Sequence, residues 1–421
     1  MVTAEDPTPP RLQAHTVEID DPGPLPALLP ATDAYAWVRH GEGMVGWGEV
    51  VRHKAVTVSD AEQWWTELCA GVEHDCAITA PPAGAGFLAF GSFVFDPANT
   101  AAQSALVVPE TIIGRRQGRA WLTRIGTSPE AGPPELVLDT GPAPEPPRDI
   151  AFADGGLSGP AWEAAVAEAV RRINAGELDK VVLARDLLAN ASNDIDPRWL
   201  VSRLAEQYSR CWTYLIDNLV GATPEMLVRR EDGLVTSRVL AGTIRRSGDD
   251  SSDLALAAGL THSSKDLEEH EYAVRSVARA LAPFCSGMHV PDSPYVLELP
   301  NVLHLATDVT AVAKPGTSSL ALAAALHPSA AVCGTPTDVA RDTISELEHL
   351  DRERYAGPVG WLDADGDGEW GIALRCGQIS ETDPRQIRLY AGCGIVAGSD
   401  PAAELAESNA KLVPMRDALG E

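Results

Sequence analysis

Positive charge is what this sequence has least of. Of its 421 residues, 33 are lysine or arginine against 60 aspartate or glutamate, a formal net charge of −27. A surface of that sign repels phosphate backbones and anionic lipid, which argues against nucleic acid or a membrane surface as a partner. An anionic small molecule is still admissible if a pocket gathers its own cations or a bridging metal. Lysine is scarcest: there are five, at positions 54, 180, 265, 314 and 411, so each one invites a reason.

A disulfide framework is missing too. The seven cysteines (Cys69, Cys76, Cys211, Cys285, Cys333, Cys376 and Cys393) are odd in number, scattered and without a CxxC, the pattern of free thiols in a reducing compartment. The opening "MVTAEDPTPPRL" has acids and prolines where a signal peptide needs basic then apolar residues, and no apolar run reaches membrane-spanning length. The expectation is a cytoplasmic, soluble protein. Its length allows two or three domains or one large α/β unit.

What is present divides at "SPEAGPPELVLDTGPAPEPPRD" (Ser128–Asp149), a Pro/Gly-rich stretch between unlike halves. Residues 1–150 hold short β-like runs such as "AYAWVRH", "GMVGWGEVVRH" and "GFLAFGSFVFD". In residues 151–421 helices and strands alternate. Ser158 is placed to cap a helix with an apolar stripe at Trp162, Val166, Ala169 and Ile173, stopped by Gly176. Further helices are expected over 264–283, 338–355 and 401–419. Asp232-Gly233 reads as a hairpin turn between strands. Hairpins with helices packed outside, instead of a regular βαβα series, predict a large α+β fold.

The strand "DKVVLARDLL" poses a chemical question, because Lys180 stands at the head of an apolar run where an ammonium is costly to bury. "DADGDGEWGIAL" imitates a calcium loop, but Leu374 stands where the closing Glu belongs and Gly366 breaks the pattern, so a hairpin turn is the better account. Asp266 with Glu269, and Glu404 with Glu407, lie i,i+3 near the starts of two helices. Each pair alone is an ordinary first-turn acid pair; together they could supply oxygen ligands to one Mg²⁺. Lys411, i,i+4 from Glu407, fits a helix salt bridge as well as a site. Glu225 opens a strand in "GATPEMLV", compatible with acid/base work or with a plain strand-edge charge. The small residues of "LHPSAAVCGTP" suit either close packing or room for a ligand.

Taken in order, "DKVVLARD", "GATPEMLV", "LAGTIRR", "SSKDLEEHEYAV", "NVLHLATDV", "LHPSAAVCGTP", "YAGPVGWLDADGDGEWGIALRC" and "LYAGCGIVAGSDPAAELAE" resemble the chorismate-utilising enzymes, most closely the isochorismate synthases. The match covers residues 151–421 and, more loosely, the first half. It implies two large, roughly orthogonal antiparallel sheets flanked by helices, a monomer, chorismate as substrate and Mg²⁺ as cofactor. It puts the general base on Lys180, where burial disfavours the ammonium form, and the general acid on Glu225. Metal-binding carboxylates fall on Glu269 and Glu407, with Asp266 and Glu404 beside them. Tyr355 and Arg375 match positions that hold the enolpyruvyl carboxylate, and Gly242, Thr243, His304, Gly392 and Lys411 match pocket positions. Ala241 offers no covalent amine, and Ala331-Val332 keep their part of the pocket small and apolar, which favours release of isochorismate. Salicylate synthase and a catalytically silent chorismate-binding regulator are the alternatives.

Overall fold

The computed structural model describes residues 12–127, 134–137, 141–300 and 302–420, and within them all side chains but those of Asp250, Lys265 and Glu269. The stretch Ser128–Asp149 therefore lies partly outside the described residues.

Among the described residues the strands form two sheets, of thirteen and ten strands. In the larger, Lys180–Asn190 pairs with Gln386–Ile395, and the sheet continues through Cys376–Ile379, Leu219–Thr223 and Trp212–Ile216. There Thr213–Leu215 pair with Ala36–Val38, and the sheet runs on through strands of the first half as far as Val72–Cys76. The smaller sheet contains Val302–Ala313, Leu234–Arg245, Met226–Glu231, Gly368–Ile372 and Pro358–Asp363. Val359–Asp363 then pair with Leu88–Ser92, so both sheets draw strands from both halves of the chain. With helices packed on them, the sheets make the α+β fold that the hairpins predicted. One pair departs from the antiparallel expectation: Leu12–Thr16 run parallel to Val72–Cys76. The intervening chain, with three strands and the helix Val58–Cys69, supplies the long crossover that a parallel pair requires.

Local chemistry explains the elements that frame the interior. The helix Gly159–Asn174 is capped by Ser158, whose hydroxyl oxygen accepts from Ala161 N at 3.4 Å. Its buried stripe is Trp162, Val166, Ala169 and Ile173, and Gly176 leaves it with φ +78°. Trp162 Nε1 donates to Ala184 O at 3.0 Å, which fixes the helix against the strand Lys180–Asn190. Asp232 and Gly233 both have positive φ, 50° and 79°, as a two-residue type I′ hairpin turn needs. In the turn after Pro358–Asp363, one oxygen of Asp363 accepts from the backbone N–H of Asp365 and of Asp367, each at 3.0 Å. Asp367 pairs with Arg230. These carboxylates are engaged in stitching a hairpin.

The helix expected over 338–355 is shorter, Thr337–Leu347. The chain turns away at His349, φ 49°, directly after Glu348, whose side chain reaches a distant partner. It is buried and accepts from Ala184 N at 2.7 Å. The helices Ser264–Leu281 and Pro401–Leu419 lie where expected, the latter carrying Pro414 within it. All seven cysteines are free thiols. Among the described residues, no helix is long and apolar enough to cross a membrane.

Candidate active site

Two short, direct links between the two sheets lie beside one cavity. Pro224 and Glu225 link Leu219–Thr223 of the larger sheet to Met226–Glu231 of the smaller. Ala373, Leu374 and Arg375 make the return from Gly368–Ile372 to Cys376–Ile379. The two crossings are bonded to each other, Ile372 N donating to Glu225 O and Ala222 N to Arg375 O, both at 3.2 Å. Two charged side chains are thereby delivered to the interior at places where neither sheet is continuous.

Thirteen of the predicted site residues line this cavity. The fourteenth, Glu269, lies on the helix Ser264–Leu281 one turn beyond Asp266, but its side chain is outside the described residues.

Lys180 heads its strand and is 4 % exposed. Glu225 is buried as well, and burial pushes its carboxyl up to about 7, against the pull of the positive charges on Lys180, Lys411 and Arg375. Arg375 sits in the left-handed region at φ 51°, and its Nη1, fully buried, has no hydrogen-bond partner among the described residues. Such an orphaned donor is costly unless something anionic or polar comes to meet it. The other nitrogen, Nη2, lies 3.4 Å from His304 Nε2. Burial, then the charges of Arg375 and Lys411, hold His304 far below the usual histidine range and so neutral. A neutral imidazole facing a guanidinium with Nε2 accepts there, so Nδ1 carries the proton and donates to Thr243 Oγ1 at 3.0 Å. Tyr355 is buried and stacks on Tyr390 with ring centroids 5.1 Å apart.

Glycine is needed at two points of the wall. At Gly242 (φ +79°) the pairing of Leu234–Arg245 with Val302–Ala313 slips by one residue, and a Cβ there would lie 3.2 Å from Asp266 Cβ. The bulge thus admits the first turn of the helix Ser264–Leu281, with Asp266 aimed at the cavity. At Gly392 a Cβ would stand 2.9 Å from Leu183 O and 3.1 Å from the Tyr355 hydroxyl. Gly392 O accepts from Lys411 Nζ at 2.9 Å, and the same ammonium lies 2.6 Å from Glu407. Lys411 therefore makes the helix salt bridge and lines the pocket; the two readings of the sequence were compatible.

Glu404 and Glu407 project from the start of the helix Pro401–Leu419, and their oxygens and Cys393 Sγ lie within 4.8 Å of one another. Asp266 shares the cavity. Carboxylate oxygens suit a hard divalent cation. Burial lifts the Cys393 thiol well above its usual range, and a protonated sulfur is no ligand for such an ion. Sequence reasoning missed Cys393 here, and it missed Arg352, which also borders the cavity. In the sequence Arg352 showed no signal beyond an i,i+4 spacing from Glu348.

A family model described as chorismate binding enzyme matches residues 31–420. Curated relatives include the isochorismate synthase DhbC of Bacillus subtilis, 42% identical over 267 residues, which are 61% of this chain and 66% of that protein. The salicylate biosynthesis isochorismate synthase of Pseudomonas aeruginosa is 39% identical over 262 residues, 61% of this chain and 54% of that protein. The chain thus spans less than two thirds of the length of these curated relatives. Among solved structures, a putative 2,3-dihydroxybenzoate-specific isochorismate synthase from Bacillus anthracis superimposes with TM-score 0.74 at 32% identity, covering 97% of this chain and 96% of that one. The menaquinone-specific isochorismate synthase MenF from Escherichia coli shares the fold with TM-score 0.79 at 24% identity, covering 99% and 96%.

The raised carboxyl of Glu225 has a consequence for stability. With a folded value of about 7 against 4.5 for a free glutamate, the folded state binds the extra proton between those values. Its stability is full below 4.5 and is lost as pH rises through 7. Glu225→Gln removes that loss, so its melting temperature is expected to exceed that of the native chain at pH 8, with the difference closing by pH 5. Parallel melting curves across this range check it; a difference that does not vary with pH would mean that Glu225 is already ionised at pH 5.

Proposed function

We propose, from the premise that the chain belongs to the chorismate-binding enzymes, that it is an isochorismate synthase, converting chorismate reversibly to isochorismate. The observation that carries this reading is the meeting, in one cavity, of a buried lysine, a buried carboxyl lifted to about 7 and an arginine with an unmet donor. The names of the relatives agree with it.

In this reading Lys180 acts as the neutral amine, not the ammonium, and takes a proton from the water that adds at C2 of the ring. The double bonds shift, and Glu225 gives its proton to the hydroxyl leaving C4 as water. A carboxyl poised near 7 can donate at neutral pH, whereas an ordinary glutamate would already have lost its proton. Arg375 Nη1 and the Tyr355 hydroxyl hold the enolpyruvyl carboxylate, and the Thr243–His304 pair, with Gly242 and Gly392, shapes the remaining wall. Glu404, Glu407 and Asp266, with Glu269, would hold Mg²⁺, which supplies positive charge to the ring carboxylate of the substrate. Ala331 keeps its side of the cavity small, without a hydroxyl to assist further elimination. The same reading makes the protein a cytoplasmic monomer.

Incubation of the purified chain with chorismate and Mg²⁺, with products identified by mass spectrometry, is expected to give isochorismate. Lys180→Ala should fold and lose about 10²-fold or more in kcat, the usual contribution of a positioned proton transfer. Salicylate as the main product near neutral pH, or binding of chorismate without turnover, would refute the reading. Excess EDTA should abolish activity and added Mg²⁺ restore it, with Glu407→Gln weakening the response to Mg²⁺; full turnover in the chelator would remove the metal from the mechanism.

A further inference from the structure

Two arginines border the cavity, and their donors are used in opposite ways. Arg375 keeps Nη1 without a partner among the described residues. The Arg352 guanidinium is engaged with protein acceptors on each of its three nitrogens: Nε donates to Glu348 Oε2 at 2.9 Å, Nη1 to Val332 O at 2.9 Å, and Nη2 to Val182 O at 2.7 Å and to Glu348 Oε1. Both members of the pair are buried, 4 % and 2 % exposed. A buried ion pair contributes little net stability compared with a well-packed apolar pair, so its presence here calls for another reason.

The strand Lys180–Asn190 supplies that reason. On one edge it is paired along its length by Gln386–Ile395. On the other edge Leu187–Asn190 pair with Ala151–Asp154 and Asp186 O accepts from Gly155 N, while at the head of the strand Lys180 and Val181 pair with Thr335 and Gly334, and Val182 N donates to Cys333 O at 2.8 Å. There the pairing segment ends, and the next two edge groups are Val182 O and Ala184 N. Val182 O accepts from Arg352, and Ala184 N donates to Glu348 Oε1 at 2.7 Å. The ion pair fills the gap between these two backbone pairings, satisfying one acceptor and one donor that burial would otherwise leave unmet. With Nη1 on Val332 O, the same guanidinium ties this strand to the segment carrying Ala331. Lys180 and Val182 both face the cavity, as residues two apart on a strand do.

We propose that Arg352, oriented by Glu348, is a positioning residue for Lys180: it fixes the spacing between the strand that bears the lysine and the Ala331-Val332 wall, and so the place of the reactive water relative to the ring. This rests on the isochorismate synthase reading. Lysine at 352 retains a cation for Glu348, but a single ammonium lacks the planar fork that spans both carbonyls. Arg352→Lys is therefore expected to fold, keep KM for chorismate within about threefold, and lose about tenfold or more in kcat. In a Lys180→Ala background the same change should cost less than about twofold, because there is no lysine left to position. The variant Arg352→Met with Glu348→Leu removes both charges at similar volume and should show the same non-additivity with Lys180→Ala.

A merely structural role would give equal losses with and without Lys180, and that result would overturn the proposal. Failure of both the Arg352→Lys and the doubly substituted chains to fold would assign the pair to folding alone and overturn it equally. If the native chain makes no isochorismate under the same conditions, the functional reading fails first; if it does and kcat of the variants is unchanged, the inference fails alone.

Discussion

A carboxyl group with almost no access to water is the constraint around which the rest of this cavity is arranged. Glu225 sits at a chain crossing between the sheets, where burial drives its carboxyl up to about 7 even though Lys180, Lys411 and Arg375 pull it down. In solvent those three cations would hold it ionised; in the interior the loss of hydration wins. A chain with a net charge of −27 nonetheless brings two of its five lysines and two buried arginines to one space. The general surface can then repel anions while this space admits one.

The division of labour among those cations follows from where each is anchored. Lys411 is tied to Glu407 on its own helix and to Gly392 O on a strand of the larger sheet. Arg352 is engaged on all three of its nitrogens by backbone carbonyls and Glu348. Arg375, held by a left-handed backbone on the return crossing, retains a donor for a ligand. An arginine whose fork is complete braces a wall, and one whose fork is open can recognise a carboxylate.

Much of this is legible in the sequence. The stripe Trp162, Val166, Ala169 and Ile173 announces its helix, Asp232-Gly233 its hairpin, and the ordered motifs bring thirteen candidate residues to one cavity. The misses share a cause, which is that each depends on partners far along the chain. The helix after Thr337 stops at Leu347, where the chain turns left-handed at His349 and Glu348 reaches the Ala184 amide, 164 residues away in sequence. Arg352 looks like half of a surface helix pair, and its role as a substitute for strand pairing emerges only once the gap between the two pairings on that edge of Lys180–Asn190 is seen. The parallel pairing of Leu12–Thr16 with Val72–Cys76, and the approach of Cys393 to Glu404 and Glu407, likewise leave no mark in local periodicity.

At the heart of the proposed chemistry, Lys180 activates water from the solvent while Glu225 releases the C4 oxygen. The decisive measurement is turnover of chorismate in ¹⁸O-labelled water, with the product analysed by mass spectrometry and NMR. One labelled oxygen is expected, at the new C2 hydroxyl, in isochorismate formed during the first turnovers. An unlabelled C2 hydroxyl, carried across the ring from C4, would contradict the mechanism.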